Sequence, residues 1–168
     1  LTKPISTVAL AMLLNAEGLM GLDETVYDWL GGARQPIHKK ITIKHLLNHS
    51  SGLPAWKPFY REIPMNLIGT EEGKRMILDG CYEETALEKP GIKSIYSDLG
   101  FIMLGEIITE AGSASLDKLF QIKIAAPLGM KDTFFNKIIS AKIGKAQTKK
   151  NEKRFAPTED CPWRERVI

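Results

Sequence analysis

The chain has 168 residues, 43% of them hydrophobic and 26% charged, with a net charge of +3. That balance fits one domain with a sizeable core, and it excludes collagen-like, low-complexity and wholly disordered classes. The charge is too mild to point to a nucleic-acid partner, and the longest apolar stretch, 8–14, falls far short of the roughly 20 residues a bilayer crossing needs.

Helical periods dominate, so a mainly α body is expected. Pro4 suits a first helical turn, and Ile5, Val8, Ala9, Met12 and Leu13 mark one face while Leu10 and Leu14 fill the other. This pattern predicts a helix buried all round, closed by Gly18. Asp23 is the expected cap of a short helix through Trp29, which Gly31 and Gly32 end. Thr42 caps the next helix, over 43–49, and Ser50-Ser51-Gly52-Leu53-Pro54 breaks it. Two prolines, Pro58 and Pro64, with Trp56, Phe59 and Tyr60 make 55–69 a long ordered loop. Thr70 opens a helix to Gly80, and after Lys89-Pro90-Gly91 an extended piece reaches Tyr96. Ser97 then caps a strongly apolar helix that Gly112 stops, and Ser115 caps one more, ended by Pro127. From Lys137 to Arg154 seven basic side chains face Glu152 alone, which reads as a solvated surface loop. No internal repeat is present. Cys81 and Cys161 form no CxxC pair and read as two unpaired thiols.

Two places carry chemistry. Lys3 stands at the mouth of the first helix, where burial would disfavour its charge and make the amine a proton acceptor. Tyr96-Ser97-Asp98 gathers three polar groups at the N-terminus of another apolar helix, a setting suited to handling anions and protons. His45 and His49 are four apart, a spacing that can chelate zinc, but no Glu follows His45 and no third ligand is evident, so no metal is expected. His49 reads instead as a hydrogen-bonding post for the turn at 50–52. Trp56 and Tyr60 are candidates to line a cleft. The absence of G-x-S-x-G, Walker and G-x-G-x-x-G patterns argues against α/β-hydrolases, P-loop enzymes and Rossmann enzymes.

Leu1-Thr2-Lys3 resembles the last three positions of S-x-x-K, and Tyr96-Ser97-Asp98 resembles Y-x-N with Asp in place of Asn. These are the two inner motifs of the serine β-lactamase and penicillin-binding-protein family, in its class C β-lactamase and esterase branch. The run from Ile43 to Pro54 is similar to the family's H-L-L-x-H-x-S-G-L-P, and 127–133 to its P-L-G-M-x-D-T; 156–164 also looks like this branch.

The resemblance implies a helical lobe of an α/β (α+β) fold whose antiparallel sheet is mostly missing, with 1–136 as the lobe and 137–168 as a basic loop and the start of a continuing segment. The chain opens at Leu1 without a methionine, so it is expected to be part of something longer, with the family's serine just before Leu1 and its Lys- or His-led third motif beyond Ile168. The implied activity is serine acyl hydrolysis of a β-lactam, a D-alanyl or other peptidoglycan-like peptide, or a small ester, with no cofactor. Lys3 and Tyr96 would be catalytic, and Asp98, Ser97, Trp56 and Tyr60 would bind substrate. The analogy favours the bacterial periplasm or cell envelope. A non-catalytic helical module is the competing reading.

Overall fold

A computed structural model of the chain describes residues 2–31 and 35–135. The chain divides into two compact units, Leu1–Thr133 and Phe134–Ile168. The basic stretch at 137–154, Cys161 and the 156–164 motif lie outside the described residues.

The first unit is helical, and among the described residues the only β pairing is one isolated antiparallel bridge between Thr25 and Thr42. Helix α1, Lys3–Ala16, opens with π-type turns over Lys3–Val8 and continues as a regular α-helix. Next come α2 (Val26–Trp29), α3 (Ile43–Leu47), α4 (Glu71–Glu83), α5 (Asp98–Gly112) and α6 (Leu116–Phe120), the last extended by π-type turns over Gln121–Ala125. No single helix among the described residues is long and apolar enough to cross a membrane.

The core is built around α5. Leu99, Met103, Leu104, Ile107 and Ile108 are all but fully buried, and Leu10 and Leu14 of α1 with Ile43 and Leu46 of α3 join the same cluster. Removing such side chains from water is the main stabilising term, at about 1.5–3 kcal/mol each. Because α1 and α5 share this core, their N-terminal ends, carrying Lys3 and Asp98, meet at one mouth.

Several local expectations are corrected. Helix α1 is not buried all round: Met12 is 66% exposed and Ile5 36%. The cap of α2 is Thr25 rather than Asp23, since the Thr25 hydroxyl accepts from the Asp28 N–H and the Asp28 carboxylate accepts from the Thr25 N–H. Thr42 and His45 form the same reciprocal box at α3, which stops at Leu47. The bridge between the two capping threonines therefore fixes both helix starts at once. Two short 3-10 turns, Phe59–Glu62 and Met65–Leu67, interrupt the loop at 55–69. Helix α4 runs past Gly80, because that glycine makes room for the Phe59 ring, 2.8 Å from where a Cβ would stand, rather than ending the helix. The piece at 93–96 belongs to no helix or strand. Ser97 caps α5 through the Gly100 N–H as expected, whereas Ser115 makes no side-chain capping bond.

Candidate functional site

The site forms where two loops meet the start of α5. The segment 49–55 runs beside 87–98, joined by backbone hydrogen bonds from Leu87 to Gly52, Gly91 to Ser50, Ile95 to His49 and Asp98 to Ala55. Gly52 makes this approach possible: its φ is +78°, and a Cβ would lie 2.1 Å from the Glu88 carbonyl oxygen. This pairing holds Tyr96 at the surface, 61% exposed, directly before the first turn of α5.

Lys3 arrives from α1. Its Nζ lies 2.6 Å from Asp98 Oδ1 and 5.3 Å from the centroid of the Tyr96 ring, with the Phe101 ring at 5.8 Å. Burial disfavours its charge, but hydrogen bonding to Asp98, the Asp98 charge and a hydrogen bond to Tyr96 outweigh it, so its pKa stands above the ordinary 10.5. The ammonium form is thus favoured, the reverse of what burial alone would give.

Ser97 lies inward of its two neighbours, Tyr96 and Asp98. Its hydroxyl is buried, donates to the Pro54 carbonyl at 2.7 Å and accepts from the Gly100 N–H at 3.2 Å, so both its functions are used inside the protein. Trp56 and Tyr60 stand together, ring centroids 6.2 Å apart, and Trp56 is 54% exposed. Trp56 follows Ala55, whose carbonyl accepts from the Asp98 N–H, but neither ring lines the groove that opens beside Lys3.

That groove, about 560 Å³, starts at Lys3 and Asp98 and runs along α5 towards Ile77, Leu78, Ile102 and Leu116, so one end is charged and the rest largely apolar. Lys74 and Glu106 pair across its wall at 2.7 Å. Among the described residues no cluster of three or more His, Cys, Asp or Glu side chains is placed to hold a metal. His45 spends its Nδ1 on the Thr42 N–H, and Cys81 is buried, its thiol pushed up to about 12, which leaves it unreactive.

Sequence reasoning missed the second role of His49. Its ring stacks between Tyr96 and Phe101, at 4.3 and 4.8 Å, and its Nδ1 accepts from the Ser97 N–H at 3.1 Å. The histidine at that place in the 43–54 motif is the available signal, but from sequence it reads only as a hydrogen-bonding post for the turn at 50–52.

Comparison with known proteins agrees with the motifs. The Beta-lactamase family model matches residues 1–166. Penicillin-binding protein 4* of Bacillus subtilis is 30% identical over 139 residues, covering 79% of this chain and 29% of that protein. Among solved structures, the octameric penicillin-binding protein homologue from Pyrococcus abyssi superposes with a TM-score of 0.67 at 27% identity, over 86% of this chain and 33% of that one. The beta-lactamase/D-alanine carboxypeptidase from Yersinia pestis gives 0.61 at 25% identity, over 85% and 41%. The chain therefore spans only about a third of the length of such relatives. Its described part is a helical lobe of their fold, and with the match running through nearly every residue, the chain belongs to the Beta-lactamase family.

Proposed function

We propose that the complete protein is a serine acyl hydrolase, acting through an acyl-serine on a β-lactam, a D-alanyl peptide or a small ester. The observation that carries this reading is the meeting of the Lys3 ammonium with Asp98 at 2.6 Å and the Tyr96 ring at 5.3 Å, in a chain whose relatives include a penicillin-binding protein.

In the S-x-x-K pattern the serine stands three residues before Lys3, on the same helix face and within a turn of it. Lys3, held charged by Asp98, stabilises negative charge developing on the serine and on the Tyr96 oxygen. Tyr96 relays a proton: its oxygen accepts the serine proton as its own phenol proton passes to the leaving group, and water later releases the acyl chain and returns the proton to serine. Asp98 holds Lys3 and faces the substrate, while Trp56 and Tyr60, outside the groove beside Lys3, would meet only a part of the substrate that extends beyond it. The isolated 168-residue polypeptide carries no serine three residues ahead of Lys3 and is expected to be inactive.

The test uses the full-length protein, an activated ester or a labelled penicillin, and intact mass to detect the adduct. Wild type should form a stoichiometric acyl-enzyme, and the 1–168 polypeptide none. Tyr96→Phe should slow acylation by at least about 100-fold, as loss of a proton-transfer group does, and Lys3→Ala by a similar factor, as loss of a charge that stabilises the transition state does. Near wild-type rates in both folded variants would overturn the assignment.

A further inference from the structure

His49 has no part in the proton transfers above, yet it grips the chain on both sides of Tyr96. Its carbonyl accepts from the Ile95 N–H at 2.8 Å, and its Nδ1 accepts from the Ser97 N–H at 3.1 Å. Its ring lies against the Tyr96 ring at 4.3 Å, tilted by 35°, and against Phe101 at 4.8 Å, tilted by 27°. The residue achieves this from φ 58°, a left-handed conformation that few non-glycine residues take, Asn, Asp and His most readily.

A hydrogen bond on each side fixes the backbone of Tyr96, and a stacked ring fixes the direction of its phenol. We infer that His49 is a positioning residue for Tyr96, setting the phenol against the Lys3 ammonium through its Nδ1 acceptor and its stacked ring. The inference rests on the hydrolase reading.

The acceptor role requires a neutral imidazole with its proton on Nε2. Three groups face the ring: Lys3 from α1, Asp98 from α5 and the Tyr96 phenol. Burial and the Lys3 charge favour the neutral form, and Asp98 opposes them. The net direction is downward from 6.5, so the acceptor is present at neutral pH.

Two substitutions in the full-length protein separate positioning from folding. His49→Gly keeps the left-handed backbone without strain and removes both acceptor and ring. His49→Asn tolerates the same backbone and places Oδ1 where Nδ1 stood. Acylation by an activated ester, followed before steady state, gives a maximal rate and a half-saturating concentration. Misplacing a reacting group by about 1 Å can cost 100-fold, so His49→Gly should lower the maximal rate by about 10- to 100-fold with half-saturation unchanged, and His49→Asn should recover most of it. A folded His49→Gly within about twofold of wild type, a loss confined to half-saturation, or equal loss in both variants would overturn the inference alone, since those margins fall well below that cost. A wild type that forms no adduct would overturn the hydrolase reading and this inference with it.

Discussion

Lys3 and Asp98 form a pair that contributes little to stability whatever it contributes to the proposed chemistry. Their side chains are 32% and 39% exposed, and ion pairs in such places contribute about 0–1 kcal/mol. Asp98 also opens α5, where a negative charge is favoured by the helix dipole. Asp98→Asn should therefore cost the fold about 1 kcal/mol or little more by urea unfolding. The effect on acylation is different in kind. The Lys3 amine is held above 10.5 in the fold by Asp98 and Tyr96 against desolvation, so the stability from this pairing is complete below 10.5 and is lost as pH rises through the folded-state value. Removing the carboxylate lets the Lys3 pKa fall and makes a neutral amine easier to reach. If the Lys3 ammonium is the working form, the alkaline limb of the acylation profile, where that charge is lost, should move to lower pH in Asp98→Asn. An unmoved limb would show that Asp98 does not tune this lysine.

At the scale of elements, the caps at Thr42, Thr70 and Ser97 were legible because each uses a local three-residue offset, and so was the meeting of α1 with α5, because both are strongly apolar. What was not legible depends on contacts between distant segments. Thr25 wins over Asp23 as a cap because a bridge to Thr42 sets where α2 begins, and Gly80 continues a helix because Phe59 arrives from a loop to fill its space. His49 reads from sequence as a post for the turn at 50–52, and only its left-handed φ and the arrival of 95–97 turn it towards Tyr96. The glycines can be separated by the same physics. Gly52→Ala would force a Cβ to 2.1 Å from Glu88 O at a φ of +78°, so it should destabilise by about 2 kcal/mol or more and disturb the loops that carry Tyr96. Gly105 lies inside α5 with nothing within 4 Å of a built Cβ, so Gly105→Ala should stabilise by about 0.5–1 kcal/mol. Chemical denaturation of the two variants checks both signs, and a stabilised Gly52→Ala would contradict the close approach.

The molecule as a whole carries an acid sensitivity that belongs to no single element. His38, in the 3-10 turn Pro36–Lys39, is fully buried with neither ring nitrogen within good hydrogen-bond geometry, and desolvation pushes its pKa below 6.5 against a weaker opposing pull from the Glu84 backbone carbonyl. His49 is shifted the same way by burial and by Lys3. Both rings are therefore neutral in the fold at pH values where the unfolded chain already binds protons. Stability rises with pH wherever the unfolded state holds more protons. The stability tied to these neutral rings is thus complete above 6.5, and it is lost as pH falls from there through the two lower folded-state values. Each fully uncompensated proton contributes a slope of about 1.4 kcal/mol per pH unit. Carboxylates add their own loss only nearer pH 4. His38→Leu replaces the buried imidazole with an apolar side chain that takes up no proton. Urea unfolding free energies between about pH 5 and 7.5 should rise less steeply in His38→Leu than in wild type, by up to that one-proton slope, with His49 supplying the remainder. Parallel curves for the two proteins would mean that His38 binds its proton equally in the folded and unfolded chain, and that its burial does not make the lobe acid-sensitive.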